Sequence, residues 1–127
     1  MTDIRSQPCS ACPYRCDVPS GVWSHDEYEK LRPYDEPTAD QPFEAFGCHA
    51  TPDKICHGWA VVHTNRGRPY DLLALRIIGS PEIPSITVPL FASGNEAADH
   101  GQRDIEEPSD EARETVDRLT RKYERLR

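Results

Sequence analysis

Five cysteines stand at positions 9, 12, 16, 48 and 56, and their types and spacing point to thiolate chemistry. Cys9 and Cys12 form a C-x2-C pair flanked by Pro8 and Pro13. Two intervening residues let both sulfurs face one ion, while backbone N–H groups of the tight turn point at them. Zinc knuckles and iron–sulfur sites share that geometry. Cys48 and Cys56 bracket a seven-residue loop, HATPDKI, and Cys56 falls at an expected helix start. A thiolate there gains from the partial positive charge of the helix N-terminus. The expected metal set is Cys9, Cys12, Cys48 and Cys56. Cys16, His49 and His57 are candidates to replace a member, with His63 a further one. A zinc ion bound by thiolates would clamp two distant loops and offset a weak core. A [4Fe–4S] cluster, which also takes four thiolates, is the alternative cofactor; Trp23, Phe43, Phe46 and Trp59 would give it a dry aromatic surround.

The elements that must position these groups follow from local signals. Ser24 and Glu27 have capping-box spacing, which predicts a short helix over 24–31 that Pro33 stops. Residues 34–42 are polar and proline-interrupted and read as a loop. Residues 56–63 predict a second helix with Trp59 and Val62 facing inward. The most apolar stretch, 71–78, reads as a helix capped by Asp71, with a buried strand as the alternative because short apolar runs fit both. Prolines 81, 84 and 89 force 80–91 to be extended. Residues 95–100 followed by Gly101 read as one helical turn with a glycine stop.

The clearest helix covers 109–127. Ser109 caps it, acidic residues sit in its early turns and basic ones near its end, matching the helix dipole. Ala112, Val116, Leu119, Tyr123 and Leu126 form one narrow heptad seam. That seam either lies on its own domain or pairs with a partner. Val116, Leu119, Tyr123 and Leu126 are the candidate partner-binding residues, and self-association through this helix is a further option.

Composition bounds the rest. The chain has 127 residues, 36% of them hydrophobic, and a formal charge of -7. One compact domain fits that length. The expected division is a cysteine-rich metal-binding domain over 1–92, an acidic connector with one short helical turn over 93–108, and the amphipathic helix 109–127. No apolar run approaches a membrane span, and no export signal is visible. With an odd number of cysteines, this predicts a reducing cytoplasm and free thiols. The acidic balance argues against general nucleic-acid binding, although Arg66, Arg68 and Arg76 would make a local patch. The sequence offers no phosphate loop, its carboxylates fall mostly in exposed, turn-rich segments, and four thiolates close a zinc site against hydrolysis; His49 or His57 beside a zinc thiolate could act in acid–base chemistry, but nothing in the sequence requires it. The expectation is a non-enzyme.

CSACPYRCDVPSGVW at 9–23, FGCHATPDKICHGWAVVH at 46–63 and the LLALR that follows together resemble a family of small uncharacterised proteins of actinobacteria and their bacteriophages. The shared features are a CxxCPYR-type opening, a PSG-tryptophan stretch, a Cys-His and a later Cys-x-Gly-Trp. The resemblance covers about residues 8–100 and implies the same four ligands, Cys9, Cys12, Cys48 and Cys56. The chain departs from the family at Cys16, where a basic residue is expected, and at His57 before Gly58. GVW at 21–23 is also similar to a stretch of the iron–sulfur WhiB-like regulators, whose cysteine spacing the chain does not follow.

The sequence therefore predicts a mainly α, small, irregular metal-stapled domain with long loops and a C-terminal helix. Its expected role is a cytoplasmic zinc-binding adaptor or regulator acting on another protein. The alternative is an iron–sulfur protein with a redox- or iron-sensing role, for which Cys16 is a candidate exchange thiol.

Overall fold

The computed structural model describes residues 3–51, 53–64, 72–79 and 82–125. Among these described residues, five α-helices carry the fold: α1 (His25–Glu29), α2 (His57–Thr64), α3 (Leu73–Ile78), α4 (Gly94–Gln102) and α5 (Asp110–Arg125). Among the described residues extended pairing is confined to isolated bridges, so the protein is mainly helical.

Helix α2 is the centre. All eight of its residues are buried, the pattern of a helix surrounded by protein rather than one lying on a surface. Inward-facing residues therefore extend well beyond Trp59 and Val62. Tyr34 meets Trp59 edge-on, with ring centroids 5.3 Å apart.

Helix α1 starts at the expected cap, where Ser24 Oγ accepts the Glu27 N–H at 3.4 Å. It ends earlier than the capping signal suggests. The chain then tightens into 3₁₀ turns at Arg32–Asp35 and Thr38–Asp40, with Pro33 inside the first. Proline lacks only its N–H, which the first positions of a helical turn leave unpaired anyway. The segment 34–42 is thus more ordered than a loop.

The helical reading of 71–78 is correct, with α3 ending on left-handed Gly79. The Asp71 cap lies outside the described residues. Gln41 serves this end: its side-chain Oε1 accepts the Leu73 N–H at 3.0 Å. The stretch expected to be extended is irregular from residue 82 onward, touching Arg15 through a bridge at Leu90.

Within 93–108, the single turn expected at 95–100 is a two-turn helix, α4, seated in the core. Ala97 and Ala98 are fully buried and Gly101 is buried. A Cβ at Gly101 would run into the Tyr28 ring, so glycine permits α4 to cross α1 closely. Asp35 caps α4 from a distance, its carboxylate accepting Gly94 N–H at 2.8 Å and Asn95 N–H at 2.7 Å.

The PSG-tryptophan stretch locks the end of α4. Ser20 Oγ donates to Gly101 O at 3.0 Å and accepts from Asp104 N–H at 2.8 Å. Gly21 follows with φ +83, a left-handed conformation that a Cβ would strain. Helix α5 begins as expected, with Ser109 Oγ accepting the Ala112 N–H at 3.1 Å. Its first two turns dock Ala112 onto Ala11, Val18 and Val22, with Val116 and Leu119 packed alongside.

Candidate thiol centre

Two loops bring four sulfurs together. The first is the C-x2-C turn, closed by Cys12 N–H to Cys9 O at 3.2 Å and Arg15 N–H to Cys12 O at 3.0 Å. The second folds back on itself, with Cys48 N–H on Lys54 O at 2.9 Å and Cys56 N–H on Phe46 O at 2.8 Å. Those bonds put Cys48 and Cys56 on the two arms of one loop. Cys56 also precedes the first turn of α2, where its carbonyl accepts the Ala60 N–H at 3.1 Å.

Cys9, Cys12, Cys48 and Cys56 are all buried and unbridged. Their sulfurs make a chain of contacts in the order Cys48, Cys9, Cys12, Cys56. Cys12 Sγ and Cys56 Sγ lie 4.0 Å apart. Among the described residues no group of three or more His, Cys, Asp or Glu side chains closes to metal-holding distance. The contacts run from one thiol to the next along that chain.

Backbone N–H groups are aimed at three of these sulfurs: Ala11 at Cys9, Tyr14 at Cys12, and both Ala50 and Thr51 at Cys48. Such donors favour the thiolate. Neighbouring thiols and burial act the other way. The Cys9 thiol is raised, chiefly by Cys12 beside it, and that of Cys12 is raised well above its ordinary range, chiefly by Cys56. Cys48 is pushed up to about 12 by its hydrogen bond with Cys9 and by burial. Packed thiols of this kind cannot all ionise unless a cation joins them.

Cys16 stands apart from this group. It is exposed, and its backbone N–H bonds Pro89 O at 3.2 Å. His57 donates from Nδ1 to Arg5 O at 3.0 Å, and burial lowers its pKa. His57 Nε2 is buried and has no hydrogen-bond partner among the described residues. His49 bonds Glu27 Oε2 through Nε2 at 3.2 Å and lies under Trp23, with ring centroids 4.2 Å apart. Trp23 in turn donates its indole N–H to Ala11 O at 2.8 Å, tying the first cysteine turn to the second loop. Of the aromatic groups expected around the centre, Trp59 and Phe46 are buried, Trp23 is half-buried and Phe43 is 75% exposed.

Two features carry the centre without having been legible beforehand. Gly58 is required by close approach, because a Cβ there would stand 2.8 Å from Cys12 Sγ and 2.7 Å from Tyr14 Cβ. The glycine of CHGW was the available signal. The second is a buried polar chain behind the cysteines. Tyr14 Oη meets His63 Nε2 at 2.8 Å, and His63 Nδ1 lies 3.4 Å from Asp35, the residue that caps α4. Nothing local announces it, since its members are distant in sequence.

Of the candidate partner-binding residues, Val116 and Leu119 are half-buried against the Val22 and Trp23 side of the domain. Tyr123 is 59% exposed, and Leu126 lies outside the described residues. Beneath the second half of α5 a cleft of about 440 Å³ opens between Leu119 and Tyr123 on one wall and Cys9, Trp23 and His49 on the other. Of the basic patch, Arg76 is exposed, whereas Arg66 and Arg68 are outside the described residues.

This architecture has a family. The chain belongs to a family of unknown function, DUF6283. The match covers residues 4–121, so it takes in both cysteine loops, all of α2 and α4, and most of α5. No curated protein and no solved structure matches the chain. Among the described residues no helix is long and apolar enough to cross a membrane.

Proposed function

We propose that Cys9, Cys12, Cys48 and Cys56 hold one zinc ion that staples the two loops, and that the chain is a cytoplasmic adaptor or regulator acting on another protein rather than an enzyme. The observation that carries this reading is the linked set of four buried sulfurs with backbone N–H groups aimed at three of them. In a tetrahedral zinc site with Zn–S near 2.3 Å, sulfurs stand about 3.8 Å apart. The Cys12–Cys56 separation of 4.0 Å needs only a small closure to reach that value.

An iron–sulfur cluster is the second reading, favoured by the buried Phe46 and Trp59 near the thiols. A cubane spreads its thiolates over different irons, which sets them wider than a single ion does. The close sulfurs therefore support zinc. Four thiolates would complete the coordination of that ion and leave no position for substrate, which is why the reading is not catalytic.

The contact surface in this proposal is the second half of α5, where Tyr123 is exposed beside the cleft that Leu119 also lines; Val116 and Leu126 belong to the same seam by their spacing in the sequence. Zinc titration of chelator-stripped protein followed by native mass spectrometry tests the metal assignment. Binding of one zinc per chain that disappears in Cys12→Ser supports it; retention of the same stoichiometry in that variant overturns it.

A further inference from the structure

A zinc ion held by four thiolates carries a net charge of about −2, and burying such a centre is costly unless cations face it. Two arginines stand against this one. Arg5 reaches Cys48 from the N-terminal segment: its Nη1 lies 3.7 Å from Cys48 Sγ and 3.0 Å from Thr51 Oγ1. The segment is fixed in place, because Arg5 N–H bonds Ile55 O at 3.0 Å, Ile55 N–H bonds Asp3 O at 2.8 Å, and Arg5 O accepts from His57. Residue 55 immediately precedes Cys56, so the backbone that carries Arg5 is anchored to the metal loop itself.

Arg15 stands on the other side. Its guanidinium lies 3.4 Å from Cys9 O and within electrostatic reach of the Cys9 and Cys12 sulfurs. Asp17 holds it there in a two-point pair at 2.8 and 2.7 Å. That carboxylate offsets part of Arg15's charge, which leaves Arg5 as the stronger counter-charge.

We propose that Arg5 and Arg15 are the charge-compensating residues of a dianionic tetrathiolate centre, Arg5 acting on Cys48 and Arg15 on the Cys9–Cys12 turn. The inference rests on the metal reading above. It goes further by assigning a role to the arginine of the CPYR motif and to a residue four positions before the first cysteine. Neither arginine is a ligand. Both act by lowering the cost of keeping the sulfurs ionised, as partners beyond the ligands do in other metal sites.

The test is zinc release to a chromophoric chelator from wild type, Arg5→Gln, Arg5→Lys and Arg15→Gln, at low and high salt. Expected are about tenfold weaker zinc retention in Arg5→Gln, a smaller loss in Arg15→Gln, and recovery toward wild type in Arg5→Lys. The difference between wild type and Arg5→Gln shrinks as salt screens the charge. A packing role for Arg5 would give equal losses in the lysine and glutamine variants and no salt dependence, and either result overturns the proposal. Wild-type protein that takes up no zinc refutes the metal reading instead, so the two failures are distinguishable.

Discussion

Replacing Gly58 with alanine places a methyl group where α2 passes the Cys12 sulfur. In an ordinary helix interior this exchange gains about 0.5–1 kcal/mol. Here the added Cβ stands 2.8 Å from Cys12 Sγ and 2.7 Å from Tyr14 Cβ. Bringing the sulfur out to an ordinary contact of 3.4 Å requires it to retreat by about 0.6 Å. Zinc–ligand distances tolerate only about 0.2 Å. Tyr14 cannot yield in its place, because it is fully buried and bonded to His63. Overpacking costs about 1–3 kcal/mol, which leaves a net loss of up to about 2.5 kcal/mol after the helix gain is subtracted. Urea unfolding with excess chelator reads the packing cost alone, and competition with a chromophoric chelator reads the metal cost. The expected result is a lower unfolding midpoint together with at least a roughly tenfold loss of zinc affinity. A Gly58→Ala protein as stable as wild type, with unchanged affinity, would refute the close approach of sulfur and helix.

Other perturbations separate the thiol centre from the helix caps. Cys16→Ser leaves zinc stoichiometry and affinity unchanged, whereas Cys9→Ser and Cys48→Ser each lower affinity in the same titration. Asp35→Asn weakens the cap on α4 and the contact with His63, costing about 1–2 kcal/mol in urea unfolding. Ser109→Ala costs about 1 kcal/mol and frees the start of α5, seen as faster amide exchange at Ala112 and Arg113.

The local features were readable because their causes are local. Ser24 and Ser109 each bond an N–H three residues on, and both helix starts were visible from that spacing. The four cysteines were singled out by type and spacing, and the fold does place their sulfurs side by side. What escaped depends on partners distant in sequence. Helix α4 looks polar and short, and its two alanines and Gly101 acquire meaning only against Tyr28. Gln41 caps α3 from 32 residues away. Asp35 caps α4 from about 60 residues away, and Arg5 reaches Cys48 across 43. The heptad seam of α5 was legible as a pattern but not as an occupant. Its first turns cover the domain's own Ala11 and Val22, and Tyr123 stays at the surface.

One sample tests whether the four thiols bind a metal. Protein purified without oxygen is divided between elemental analysis and an absorption spectrum. Zinc held by the four thiols gives a colourless protein with about one zinc per chain. A brown protein with iron and broad absorption near about 400 nm would replace zinc with a cluster and move sensing to the front. A folded protein without metal, all five of its thiols free to react, would contradict metal binding.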